Sequence, residues 1–61
     1  MATTQVTAGP YLGWARDERG TWRALVLAQT PETCHRELLA YLQRAGWTPS
    51  ATAVLPAGRR P

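Results

Sequence analysis

Several residue types that carry chemistry are scarce or missing in this sequence. Phenylalanine and lysine are absent, and cysteine and histidine occur once each, as Cys34 and His35. A single cysteine excludes an intramolecular disulfide and any cysteine-rich zinc site within one chain. It is compatible with a reducing cytoplasm. Cys34 falls within a helical pattern, so we interpret it as a small buried hydrophobic residue.

The scarcity of grouped polar residues argues against catalysis. On a helix, the neighbours Cys34 and His35 point about 100° apart, a poor geometry for a nucleophile and its base. Glu32 and Glu37 do not share a helix face, and the glycines are too dispersed for a phosphate-binding loop. We therefore predict that the protein is not an enzyme, with no catalytic residues, metal ligands, cofactor or small-molecule substrate.

Long apolar runs are also missing, so no segment approaches the length of a membrane span. Met1–Gly9 lacks the basic start and apolar core of a signal peptide, and we expect a cytoplasmic protein. The net charge is +3, and all seven basic residues are arginine. Together with abundant alanine, this bias is typical of a GC-rich bacterial or phage genome. Because Arg59 and Arg60 lie in the tail, the basic character of the body is modest.

The 61 residues are near the lower limit for a domain that folds without disulfides or metal. Residues 1–9 are small and polar and are predicted to form a flexible N-terminus. Residues 10–55 are predicted to form one small domain, and residues 56–61 a flexible C-terminal tail. Stability at this size requires efficient packing, a partner or a second copy.

Two strands and a helix are predicted, with a short third strand at residues 51–55. Tyr11–Arg16 and Thr21–Ala28 alternate as strands on either side of a charged turn that Gly20 closes. The predicted fold class is therefore α+β, a two- to three-stranded antiparallel sheet with one helix, in the order β-β-α-(β).

The helix is predicted from Pro31 to Ala45. Thr30 is a favourable N-cap, and Pro31 suits the first helical position. Gly46 is expected to adopt a left-handed conformation just past the C-terminus, with Trp47 folding back onto Leu42. Residues at spacings of three and four predict one apolar stripe: Cys34, Leu38, Tyr41, Leu42 and Ala45.

Both faces of the predicted hairpin carry apolar side chains, and one helix cannot cover both. Leu12, Trp14 and Arg16 share one face of the first strand, because side chains alternate along a strand. Two hairpin registers fit the turn. A three-residue loop groups Trp14, Arg16, Trp22 and Val26 on one face. A four-residue loop groups Trp14, Arg16, Arg23 and Leu25.

Large aromatic side chains beside arginine are typical of binding hot spots. We therefore predict a small non-catalytic protein-binding module, a subunit, adaptor or inhibitor, that uses Trp14, Arg16, Trp22 and Arg23. The partner is another protein or a second copy in a homodimer, joined by strand edges or face to face. Whether Trp14 and Trp22 belong to the core or to the interface is left open.

A resemblance supports an alternative. The spacing of glycines and aromatic residues in the hairpin is similar to the first two strands of the ethylene-response-factor DNA-binding domains and of the arm-binding domains of tyrosine recombinases. It covers about 20 residues and is carried by Tyr11, Gly13, Trp14, Gly20, Trp22, Ala24 and Val26. Those families lay a three-stranded sheet in the major groove of DNA, which implies a small basic nucleic-acid-binding protein. The candidate nucleic-acid contacts are Arg16, Arg19, Trp22 and Arg23.

Overall fold

A computed structural model describes residues 10–61 and shows one three-stranded antiparallel sheet with one helix. The elements are β1 (Tyr11–Arg16), β2 (Trp22–Ala28), α1 (Pro31–Ala45) and β3 (Ala51–Pro56). The strand order is β2-β1-β3, so β1 lies at the centre and the chain crosses the sheet through the helix. The predicted α+β class and the predicted third strand are confirmed. The expectation for residues 1–9 lies outside the described residues.

The turn between β1 and β2 is held by the side chain of Asp17. Its Oδ1 atom accepts hydrogen bonds from the amides of Arg19 and Thr21, both at 2.9 Å. The Asp17 amide donates to the Thr21 carbonyl at 2.9 Å, and Gly20 has a φ of 84°. Since Asp17 pairs with Thr21, the loop has three residues, and the three-residue register is the one that the hairpin adopts.

A β-bulge interrupts this register in the middle of β2. Trp14 lies opposite Ala24, whereas Gly13 lies opposite Val26, which leaves Leu25 as the extra residue. Leu25 and Val26 both pack against the core. A bulge breaks the strict alternation of side chains. The prediction that Val26 shares a face with Trp14 is therefore wrong, because the bulge turns Val26 toward the helix.

Both ends of α1 are capped as predicted. Thr30 has extended backbone angles, and its hydroxyl accepts a hydrogen bond from the Thr33 amide at 3.2 Å. Gly46 adopts the left-handed conformation, with φ 68° and ψ 31°. The Trp47 amide donates to the Leu42 carbonyl at 3.0 Å, and the Gly46 amide donates to the Gln43 carbonyl at 3.2 Å. These two bonds form a Schellman motif.

The core lies between α1 and one face of the sheet. Ala15, Leu38 and Leu42 form its buried centre, and Leu25, Val26 and Trp47 pack around them. The buried stripe of the helix is Cys34, Leu38 and Leu42, which is narrower than predicted. Tyr41 is 42% exposed and Ala45 is exposed. The helix lies nearer to β2 than to β3.

The chain after β3 begins as an extension of the sheet. Pro56, expected in the tail, is the last residue of β3. The Ala57 amide donates to the Pro10 carbonyl at 2.9 Å, and the Arg59 amide donates to the Pro56 carbonyl at 3.0 Å across a turn at Gly58. Across residues 10–61, no helix is long and apolar enough to cross a membrane.

Candidate protein-binding face

The sheet face opposite the helix carries almost only apolar side chains. Gly13 and Ala15 contact the helix, so their neighbours on β1 project to the other side. Residues directly opposite one another across paired strands share a face. The registers therefore place the following residues on this surface, which we call the open face: Leu12, Trp14, Arg16, Trp22, Ala24, Leu27, Ala51, Ala53 and Leu55. No other described element packs on it.

The open face is arranged in three rows that run across the strands. Leucines form the first row, at positions 27, 12 and 55. The second row places Trp14 between Ala24 and Ala53, and the third places Arg16 between Trp22 and Ala51. A large indole between two small side chains has room to lie across its neighbours. Leu27, at 58% exposure, is the most exposed of the large hydrophobic residues between positions 10 and 61.

Trp14 occupies the centre of the open face and is half-buried. Its Nε1 atom is inaccessible to solvent and has no hydrogen-bond partner among residues 10–61. A buried donor left unpaired costs about 1–3 kcal/mol, which is why buried indole N–H groups usually find a partner. The unpaired N–H of Trp14 therefore destabilises the centre of this surface, and no acceptor in residues 10–61 relieves that cost.

Arg16 is the single charged residue on the open face. Its side chain extends toward the turn, since a Cβ added at Gly20 would lie 3.3 Å from the Arg16 Nη2 atom. Its backbone carbonyl accepts a hydrogen bond from the Ser50 amide at 3.2 Å, which ties β1 to the start of β3. Arg16 lies directly opposite Trp22. The structure therefore brings together Trp14, Arg16 and Trp22, three of the four residues predicted to form the binding site.

Arg23, the fourth, lies on the other face of the sheet. It is opposite Ala15, and its Nε atom donates to Asp17 Oδ2 at 3.2 Å. This ion pair is exposed to solvent and therefore contributes little to stability. The pKa of the Asp17 carboxyl is lowered, chiefly by the hydrogen bond from the Thr21 amide, with partial burial opposing that effect and Arg23 and the Arg19 amide adding to it. Arg19 is exposed in the turn.

The groups that could support chemistry are separated or buried. Cys34 is fully buried, and its Sγ atom donates to the Tyr11 carbonyl at 3.5 Å. Burial raises the pKa of the Cys34 thiol, and the charge of Glu37 raises it further. His35 is exposed on the helix. Within the described part of the chain, no three residues of metal-binding type lie close enough together to hold a metal ion.

Each edge of the sheet has a feature that hinders the addition of another strand. The β2 edge contains the bulge at Leu25, and the β3 edge ends at Pro56, which has no amide hydrogen. Bulges and prolines at the edges of sheets discourage pairing with another chain. The bulge and the proline therefore disfavour the addition of a further strand at either edge.

Several residues of the open face were not predicted as part of the site. Leu12 shares a face with Trp14 by simple alternation, so its position follows from the sequence. Leu27 reaches this face only because the bulge reverses the alternation of β2. Leu55 reaches it because β3 pairs with β1 rather than with β2. Neither the bulge nor the pairing partner of β3 has a local signal in the sequence.

Comparisons with known proteins identified no relative: no family model, curated protein or solved structure matches this chain. The similarity of the hairpin to the ethylene-response-factor domains stays a prediction. In those domains the third strand precedes the helix. In this protein β3 follows α1 and pairs with β1.

Proposed function

We propose that this protein is a small non-catalytic protein-binding module and that the open face is its binding surface. The observation that carries the proposal is the composition of this face, in which Arg16 is the only residue that is not apolar. The largest contiguous apolar patch on the surface of a protein is often a binding site. Trp14 lies at the centre of this surface with Arg16 and Trp22 in the next row, and tryptophan and arginine are among the residue types most enriched in binding hot spots.

The distribution of charge favours a protein partner over a nucleic acid. Binding to phosphates requires several cations on one surface. The open face has only Arg16, with Arg19 nearby in the turn. Arg23 lies on the opposite face and is paired with Asp17. Of the four residues predicted as nucleic-acid contacts, only Arg16 and Trp22 therefore share a surface. Apolar side chains of the adjacent row, Ala24, Trp14 and Ala53, border that pair on the side away from the turn.

Two exposed leucines provide a matched test of this proposal. Leu27 lies on the open face and is 58% exposed, whereas Leu39 lies on the helix and is 50% exposed. Substitution of either residue by glutamate changes the same chemistry at similar exposure, so the effects on folding should be small and alike. The immobilised Leu27→Glu and Leu39→Glu variants are compared with the wild type in capture from a lysate of the source cells, with captured proteins identified by mass spectrometry.

We expect the wild type and Leu39→Glu to retain the same specific partner and Leu27→Glu to lose it. Circular dichroism melting curves of all three proteins establish that each is folded. Equal retention by both variants would overturn the assignment of the open face. Equal loss by both folded variants would place the binding surface on the helix as well.

A further inference from the structure

A groove on the helix side of the protein lies between α1 and β2, away from the open face. Its volume is about 270 Å³, and it is lined by Val26, Glu37, Ala40, Tyr41 and Arg44. Val26 and Ala40 form an apolar middle, and the aromatic ring of Tyr41 is 42% exposed beside them. The groove is open because the strand on this side, β2, is an edge strand.

The charged residues of the groove are arranged so that two copies of it can face each other with opposite charges in contact. Glu37 and Arg44 are seven residues apart on α1, which places them on one side of the helix about 10 Å apart along its axis. Ala40 and Tyr41 lie midway between them. If an identical helix lies antiparallel with its midpoint at this level, Glu37 of each copy meets Arg44 of the other. A two-fold symmetric contact requires this kind of self-complementarity.

We propose that a second copy of the chain occupies this groove and that the two copies are related by a two-fold axis near Ala40 and Tyr41. The contact consists of two equivalent Glu37–Arg44 ion pairs that flank the apolar middle of the groove. The bulge in β2 disfavours a continuous ladder of hydrogen bonds between the sheets, so the helices and the groove provide the contact.

The proposed dimer also enlarges the surface available to a partner. Three strands of six or seven residues at a spacing of about 4.8 Å give one open face a footprint of roughly 14 by 20 Å. This is small beside the roughly 800 Å² that each partner buries in a standard interface. A two-fold axis perpendicular to the sheets leaves both open faces on the same side of the dimer. The dimer itself does not depend on the proposed function, because it uses a different surface.

Charge reversal tests the dimer directly. Light scattering coupled to size-exclusion chromatography gives the mass, which we expect to be twice 6.7 kDa for the wild type. Glu37→Arg and Arg44→Glu each place like charges opposite one another, and each should weaken dimerisation about tenfold or more. The double variant Glu37→Arg/Arg44→Glu restores the opposite charges and should recover the wild-type mass. Arg36→Glu is the control, because Arg36 is exposed on the helix outside the groove.

Four results would overturn the inference. The first is a wild-type mass of 6.7 kDa at all concentrations tested. The second is that neither single reversal changes the mass. The third is that the double variant is folded but stays monomeric. The fourth is a dimer that Trp14→Ala dissociates while Glu37→Arg does not, which would place the self-contact on the open face. Loss of partner capture by Leu27→Glu with the dimer intact would support the proposed function independently.

Discussion

Val26 lies directly opposite Gly13, and the contact between them leaves no room for a side chain on the glycine. A Cβ atom added at Gly13 would lie 2.6 Å from the Val26 Cγ2 atom, and 3.3 Å from both the Cys34 Sγ atom and the Leu38 Cβ atom. Val26 is β-branched and therefore stiff about its first side-chain torsion. The absence of a side chain at position 13 therefore makes room for Val26, and the two helix atoms are also close to this position.

We expect Gly13→Ala to lower the free energy of unfolding by about 1–3 kcal/mol, because an added carbon overpacks the contact with Val26 on the neighbouring strand. Urea denaturation measures the change. In a Val26→Ala background the closest contact is removed, so the effect of Gly13→Ala should be smaller there. An effect of equal size in both backgrounds would show that the Gly13–Val26 contact is not the cause.

Asp17 should make the stability of the protein depend on acid pH. Its pKa is lowered in the folded state from an ordinary value of 3.8. A lowered folded-state pKa contributes stability that is fully present above the ordinary value and is lost as the pH falls through the folded value. The free energy of unfolding should therefore decrease below about pH 4, and Asp17→Asn should show a smaller decrease. Glu18→Gln, an exposed change in the same turn, serves as the control. Identical acid profiles for the wild type and Asp17→Asn would contradict this assignment.

Cys34 should make the free energy of unfolding decrease at alkaline pH. Its thiol is buried and its pKa is raised above the ordinary value of 9.0. A raised folded-state pKa contributes stability that is fully present below the ordinary value and is lost as the pH rises through the folded value. Cys34→Ala should therefore lack part of the alkaline destabilisation of the wild type. A thiol reagent should also react much more slowly with the native protein than with the unfolded chain. Equal reaction rates would show that Cys34 is not buried in solution.

The nucleic-acid alternative and the proposed function predict different salt dependences of DNA binding. Because Arg16 is the one cation among the residues of the open face and Arg19 lies in the adjacent turn, any binding of random-sequence DNA to this face should be weak. Its logarithmic dependence on salt should have a slope no steeper than about −2. Fluorescence anisotropy over a salt series measures this slope. A slope of about −3 to −4 that becomes shallower in the Arg16→Ala variant would favour the nucleic-acid function over the proposed one.

Local signals in the sequence predict most of the fold. The caps Thr30 and Gly46 predict the helix bounds, and the charged turn before Trp22 predicts the hairpin, because these features depend only on residues near one another in the chain. The bulge at Leu25 has no local signal of this kind in the sequence. It decides which residues of β2 reach the open face, so the prediction for Val26 fails and the position of Leu27 is missed.

The candidate site is predicted in part for the same reason. Trp14 and Arg16 share a face by alternation within one strand, and the short turn adds Trp22. The register of the hairpin places Arg23 on the other face of the sheet. The sequence allowed two loop lengths, and therefore two registers, so it did not decide this position. The contribution of β3 depends on long-range pairing with β1, for which the sequence contains no local signal. The structure settles that Trp14 and Trp22 lie on the open face and that Trp47 packs against the core.

The most direct test of the proposed function uses the three tryptophans together. Hydroxyl-radical footprinting with mass spectrometry measures the oxidation rate of each side chain in the free protein and in the complex with its captured partner. We predict that the oxidation rates of Trp14 and Trp22 fall in the complex, while that of Trp47 does not change. Unchanged rates at both Trp14 and Trp22 in a saturated complex would contradict the assignment of the open face as the binding surface.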